Sequence, residues 1–215
     1  MDAYQTEDEQ VEALKRWLKE YGRSVVFGIG MCLVLVFGWR AWQDHSRQTA
    51  QSASAAFDNL QQAVSKATAQ DATDLDRSTL ETLAEPILDQ WSDMAYADLS
   101  RLLMAKAAVH GGDLDRARTL LTAVVDGSKD EAIVHMARQR LARVILSLGD
   151  YDAALDVLNV PGISESVYYA AHEEIRGDIL SAKGDVDQAR EAYEAAQRAE
   201  KNKRPFTEIK LNDLK

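Results

Sequence analysis

The stretch Gly149-Asp150-Tyr151-Asp152-Ala153-Ala154 has two close copies in this chain, GDLDRA at 112–117 and GDVDQA at 184–189. The glycines of successive copies are 37 and 35 residues apart. Glycine readily takes the left-handed conformation that ends a helix, and the aspartate after it supplies a side-chain oxygen to the free N–H groups of the next helix. Each copy therefore predicts a turn between two helices, and the repetition predicts a stack of helical hairpins.

Small and large residues recur at fixed distances from these turns. A small residue stands seven positions before each glycine and a larger one nine positions after it. The pairs are Ala105 with Leu121, Ala142 with Leu158, and Gly177 with Tyr193. We expect the small residue of one helix to face the large residue of the next within each hairpin.

This spacing resembles the tetratricopeptide repeat, a helix-turn-helix unit of about 34 residues. Two features depart from that pattern. Arg101, Arg138 and Glu173 replace the usual tryptophan of the first helix, and Pro161-Gly162 shortens the second helix of the middle unit. An irregular helical bundle is the alternative, but three copies in register favour a solenoid, in which stacked repeats form one elongated domain.

The regions around these repeats also read as helical. Helical periodicity upstream predicts a membrane-proximal helical pair at 43–93, a divergent first repeat. Three repeats then occupy 94–204. Phe206, Ile209, Leu211 and Leu214 predict a capping helix at 205–215 that covers the last repeat.

An uncharged stretch, SVVFGIGMCLVLVFGW, occupies residues 24–39 and has no counterpart elsewhere in the chain. Extended to its aromatic edges it covers about 22 residues, or about 33 Å as a helix, against a hydrocarbon core of about 30 Å. A secretory signal peptide would be shorter and followed closely by a cleavage site, and a buried core helix is the other alternative. We expect a transmembrane helix at 24–42. Ser24 and Gly28 are spaced to meet another membrane helix, and Trp39 and Trp42 mark an interface.

Basic residues set the expected orientation of this span. Four precede it within the arm at 1–23, whereas only Arg40 and Arg47 follow over a similar distance. Because cytoplasmic flanks carry the excess of Lys and Arg, we expect a cytoplasmic N-terminal arm and a C-terminal domain on the other side of the membrane.

Composition agrees with this expectation. The single cysteine, Cys32, lies inside the apolar stretch, so the domain after the span needs no disulfide in an oxidising compartment. The net charge is −10, and an acidic surface disfavours nucleic acid as a partner. Alanine-rich, proline-poor sequence without alternating apolar runs predicts an all-α fold.

No catalytic constellation is visible from spacing, so we expect no enzyme, no cofactor and no metal. His172-Glu173-Glu174-Ile175-Arg176 begins like a zinc-protease motif, but Arg176 stands where the second histidine is needed. We expect this segment to be a solvated helix surface. We expect His45, His110 and His135 to stand singly, as structural residues.

The first helices of tetratricopeptide-like repeats line a concave face, which is the expected partner groove. Leu99, Leu102, Met136 and Leu146 would supply apolar contact, and Lys106 and Arg143 would orient a peptide. The other predicted groove positions are Val109, Gln139, Ala171, Glu174 and Asp178. The alternative is an ordinary solenoid surface, partly covered by the C-terminal helix.

The whole arrangement resembles the YfgM family of ancillary SecYEG translocon subunits. The resemblance rests on the arm TEDEQVEALKRW at 6–17, the span end GWRAW at 38–42, and the stretches QSASAA at 51–56, RLARV at 140–144 and RGDILSAKGD at 176–185. It implies a bacterial inner-membrane protein with a periplasmic repeat domain near the translocon. The implied partners are SecYEG, the foldase PpiD, unfolded exported proteins and periplasmic chaperones. A membrane-anchored envelope scaffold, or a stress-regulatory adaptor without a role in secretion, is the alternative.

Overall fold

The computed structural model describes residues 7–69, 74–199 and 205–214. Across these ranges the chain forms nine α-helices and one short 3-10 helix, with no β-strand. The helices are α1 Glu7–Ala67, α2 Asp74–Gln90, α3 Ala95–His110, α4 Leu114–Gly127, α5 Glu131–Ser147, α6 Tyr151–Leu158, α7 Tyr169–Lys183, α8 Val186–Ala199 and α9 Pro205–Asp213; the 3-10 helix is Ile163–Glu165. The predicted all-α fold is confirmed. Residues 1–6 of the predicted arm, 70–73 of the predicted helical pair, 200–204 of the predicted third repeat and Lys215 of the predicted capping helix lie outside the described residues.

The chain divides into two compact units, Met1–Ser52 and Ala53–Lys215. In the first unit, α1 contains the one stretch among the described residues that is long and apolar enough to cross a membrane. None of that stretch is buried against protein. The rings of Trp39 and Trp42 lie side by side with centroids 5.3 Å apart, and a Cβ on Gly28 would meet nothing within 4 Å.

The second unit contains the three predicted hairpins, α3–α4, α5–α6 and α7–α8. Each turn has its glycine at positive φ, with values of 81°, 84° and 94° at Gly112, Gly149 and Gly184. The amide of the aspartate after each glycine donates to the carbonyl five residues back, at 2.9, 3.3 and 2.9 Å. These bonds satisfy carbonyls that the end of a helix would otherwise leave without a partner. The carboxylates of Asp113 and Asp150 also accept from the amides of Arg116 and Ala153, as helix caps do.

The small and large residues predicted to face each other are all buried. Ala105 and Ala142 are essentially inaccessible to solvent, as are their predicted partners Leu121 and Leu158. In the third hairpin a Cβ added to Gly177 would lie 2.5 Å from ring carbons of Tyr193. Only a glycine on α7 therefore leaves room for an aromatic ring on α8.

One hydrophobic core runs through most of the second unit. Leu60 and Val64 at the end of α1 share it with Leu80 and Ile87 of α2 and with buried residues of α3 to α7. A smaller cluster around Tyr193 joins α7 and α8, with Leu211 and Leu214 packed against it. Each fully buried leucine or isoleucine contributes about 1.5–3 kcal/mol, so burial of these apolar faces drives the stacking.

Two predicted irregularities take specific forms. Helix α6 ends after eight residues, and Gly162 follows with φ 73° before the 3-10 helix. Arg138, in place of the usual tryptophan, donates to the carbonyl of Val157 near the end of this short helix.

The C-terminal helix α9 differs in part from its prediction. Phe206 and Ile209 are mostly exposed, which corrects the prediction that both cover the last repeat. Leu211 of α9 and Leu214 just after it do pack against the Tyr193 cluster as predicted, and Thr207 of the same helix is also buried.

Candidate functional site

The predicted groove residues fall into distinct environments. Leu102 is 3% exposed and belongs to the core, so the prediction that it contacts a partner is wrong. Leu99 and Leu146 are partly buried and pack against the same core. Met136 is 41% exposed, while Gln139 and Ala171 are half-buried.

The third part of the predicted groove is occupied by the C-terminal helix. The ammonium group of Lys210 on α9 donates to Glu174 at 3.0 Å and to Asp178 at 2.9 Å. The hydroxyl of Tyr193 donates to Oδ1 of Asp178 at 2.8 Å, and this oxygen also lies 2.7 Å from the Lys210 ammonium group. Glu174 and Asp178 therefore hold the chain's own last helix, as the alternative interpretation of this surface expected.

This network has a consistent electrostatic effect. Burial raises the pKa of Tyr193, and its hydrogen bond to Asp178 raises it further. Burial lowers the pKa of Lys210, but the hydrogen bonds to the two carboxylates outweigh that effect and the pKa is raised. The lysine stays charged and the phenol stays neutral at physiological pH.

Lys106, Val109 and Arg143 come together at a cavity between α3 and α5, which we call the α3–α5 cavity. Its volume is about 370 Å³. Its remaining lining residues are Ala105, Leu114, Leu121, Arg140, Val144 and Ser147. The buried residues of this set are all apolar, whereas Lys106, Arg140 and Arg143 are exposed. The cavity thus has an apolar floor and a basic rim.

Arg140 and Ser147 line this cavity but were not among the predicted groove positions. Both lie on one stripe of α5 with Arg143, at spacings of three and four residues. That spacing was a usable signal, because residues three and four apart share a face of a helix. The repeat register pointed instead to Gln139, the neighbour of Arg140 in sequence.

His135 and His172 form a buried pair between α5 and α7, which corrects the prediction that they stand apart and that the His172 segment is solvated. His172 is 0% exposed, and its Nε2 lies 3.2 Å from Nδ1 of His135. The ring of Tyr168 stacks on His135 with centroids 4.2 Å apart. Burial lowers the pKa of both histidines, and that of His172 falls to about 4.

Among the described residues no three His, Cys, Asp or Glu side chains are grouped to hold a metal ion. One neutral ring donates and the other accepts, so the pair acts as a hydrogen bond between the second and third hairpins. Sequence reasoning missed it because the two residues are 37 positions apart.

Comparison with known proteins gives the same fold over nearly the whole chain. The tetratricopeptide repeat-like domain family matches residues 15–215. The protein named ancillary SecYEG translocon subunit in Escherichia coli K12 is 30% identical over 216 residues, covering 100% of this chain and 99% of that protein. Its namesake in Haemophilus influenzae is 32% identical over 215 residues, covering 99% of this chain and 100% of that protein. A third, from Aggregatibacter actinomycetemcomitans, is 30% identical over 217 residues.

No solved structure matches the chain. The family match spans the long apolar stretch as well as the three hairpins, so both parts of the sequence fall within one family. The chain therefore belongs to the family of tetratricopeptide repeat-like proteins that includes the curated proteins named ancillary SecYEG translocon subunit.

Proposed function

We propose that this protein is an ancillary subunit of the SecYEG translocon in a bacterial inner membrane. One helix at 24–42 anchors it, and the hairpin stack is its protein-interaction domain. The observation that carries the proposal is similarity to proteins of that name along the entire chain, anchor included. A repeat domain alone would support binding to a protein but not this location.

The proposed topology places the arm at 1–23 in the cytoplasm and the hairpin stack in the periplasm. The excess of Lys and Arg before the span supports this orientation. The domain after the span contains no cysteine, which suits an oxidising compartment. On this side of the membrane the stack would work with PpiD and pass exported proteins to periplasmic chaperones.

The proposed role is non-catalytic. The α3–α5 cavity has no pairing of nucleophile and base, and the buried histidines are closed off from solvent. What the described surface offers is a recess with apolar and cationic groups, which is suited to holding a protein segment. Transfer of exported proteins requires binding and release, not chemistry.

Co-purification tests the proposal. The full chain is extracted in mild detergent and compared with a version whose residues 24–42 are replaced by an unrelated transmembrane helix. We expect translocon subunits to co-purify with the native chain and to be reduced when the span is replaced, because the span docks beside the translocon. Failure of the native chain to recover any translocon subunit would refute the proposed function.

Photo-crosslinking in cells separates this role from a wall or division scaffold. Probes at Met136 and Arg143, both exposed, should capture several exported proteins. A probe at Arg118, an exposed residue of α4 that does not line the α3–α5 cavity, serves as the control. Capture of one folded envelope protein from both exposed sites would favour the scaffold instead.

A further inference from the structure

The rim of the α3–α5 cavity concentrates positive charge. Lys106 on α3 and Arg140 and Arg143 on α5 are all exposed there. In the described part of the chain, none of these three side chains has a carboxylate within 4 Å. A carboxylate that binds at this rim would therefore not have to displace an ion pair made within the described residues.

Several other basic side chains of the hairpin stack do have a carboxylate partner. Arg101 pairs with Asp98 at 3.1 Å, Arg116 with Glu81 at 3.2 Å and Lys183 with Asp152 at 2.7 Å. The whole chain carries a net charge of −10, so carboxylates are plentiful. The recess therefore gathers three exposed cations without a carboxylate partner on an acidic protein, and this charge favours an acidic partner.

The cavity beneath the rim favours a protein segment over a simple anion. Its floor is apolar, formed by Ala105, Leu121 and Val144, with Leu114 and Val109 at the sides. Its volume of about 370 Å³ lies within the range of about 300–1,000 Å³ typical of ligand pockets. An anionic bilayer fits less well, because apolar residues that enter a membrane must protrude, and these are recessed.

We propose that the α3–α5 cavity binds an extended protein segment in which a glutamate or aspartate neighbours a large apolar side chain. The carboxylate lies between Arg140 and Arg143, and the apolar side chain enters the cavity. The proposal rests on the proposed role of the hairpin stack as a protein-interaction domain, and it specifies the chemistry of the segment. Arginines suit this task because the guanidinium group can donate two parallel hydrogen bonds to a carboxylate.

Fluorescence anisotropy on the purified full chain in a nonionic detergent tests the proposal. The probe is a short, labelled peptide with blocked ends and a Glu-Leu-Glu centre. Two comparison peptides carry Gln-Leu-Gln and Glu-Ser-Glu. We expect the first peptide to bind at least about tenfold more tightly than either comparison peptide, and its affinity to fall as salt is added.

Variants of the rim locate the binding. The double variant Arg140→Gln with Arg143→Gln should weaken binding by about tenfold or more, while Arg140→Lys with Arg143→Lys should retain part of it because the charge remains. All these side chains are exposed, so the fold should be unaffected, which circular dichroism checks. Arg118→Gln is the matched control, because Arg118 is an exposed arginine on α4 outside the cavity and should leave binding unchanged.

Three results would overturn the proposal: no binding of the Glu-Leu-Glu peptide, equal binding of the Gln-Leu-Gln peptide, or full binding by the double glutamine variant. Inorganic phosphate that displaces the peptide at equal concentration would show a general anion site and would also overturn it. None of these results depends on the translocon. Co-purification with translocon subunits can therefore succeed when peptide binding fails, and the reverse.

Discussion

The contact between Gly177 and Tyr193 predicts that the effect of Gly177→Ala on stability depends on the side chain at position 193. The substitution should destabilise the native chain and stabilise a chain with a smaller residue at that position. In the native chain the new methyl group would lie 2.5 Å from two ring carbons of Tyr193. The ring cannot easily move, because it is 3% exposed and its hydroxyl is hydrogen-bonded to Asp178. Overpacking of this kind costs about 1–3 kcal/mol, whereas replacing glycine by alanine inside a helix gains about 1 kcal/mol. We expect a net destabilisation of about 1 kcal/mol.

In a Tyr193→Leu background the same substitution should become stabilising. The pair would then be alanine with leucine, as in Ala105–Leu121 and Ala142–Leu158 of the first two hairpins. The clash disappears and the helix-propensity gain of up to about 1 kcal/mol remains. Tyr193→Leu alone should destabilise by about 2–3 kcal/mol, because it loses packing and the hydrogen bond to Asp178. The interaction energy between the two substitutions is therefore about 2 kcal/mol.

Urea unfolding of the four chains of this double-mutant cycle, followed by far-ultraviolet circular dichroism in detergent, gives these free energies. Gly127→Ala is the matched control, because Gly127 is also helical and a Cβ there meets nothing within 4 Å. It should not destabilise the chain. If Gly177→Ala changes the free energy of unfolding by the same amount and in the same direction in both backgrounds, the predicted clash with Tyr193 is refuted.

Three further predictions concern other contacts. The folded-state pKa of His172 is about 4 against 6.5 for an unperturbed histidine, so the unfolded chain binds a proton first, and stability is lost as pH falls from about 6.5 towards 4. The loss in the free energy of unfolding should reach about 2 kcal/mol at pH 5. Urea unfolding across this pH range should show a weaker pH dependence for His172→Gln than for the native chain. The exposed control His110→Gln should keep the native pH dependence. Lys210→Met should destabilise the fold by about 1 kcal/mol, because solvent screens the ion pairs of this partly exposed ammonium group and keeps their contribution small. Thermal unfolding should show no such loss for Lys129→Met, since Lys129 is exposed. Asp150→Ala should cost about 1 kcal/mol in the same urea titration, through the lost cap of α6. Asp152→Asn leaves the cap intact and loses only the exposed ion pair with Lys183, so it should cost less; equal losses would contradict the cap.

The order of the helices and the places where they turn were readable from the sequence alone. Gly112, Gly149 and Gly184 mark turns by a requirement on a single residue, positive φ, and the aspartate after each glycine adds a local hydrogen bond. The 3.6-residue period of a helix and the short turn determine which small residue faces which large residue within a hairpin. The pairing of Gly177 with Tyr193 could therefore be predicted from the sequence. The apolar span is equally local, because its length and lack of charge are properties of consecutive residues.

The accessible surface, by contrast, was decided by tertiary packing. Leu102 and Lys106 lie one helical turn apart, yet one is in the core and the other rims a cavity, because the crossing of neighbouring helices determines which part of a face is covered. The pairing of His135 with His172, and of Lys210 with Glu174 and Asp178, joins residues more than thirty positions apart. Local periodicity defines the faces of each helix, but only the packed stack defines which face meets solvent, another helix or a partner.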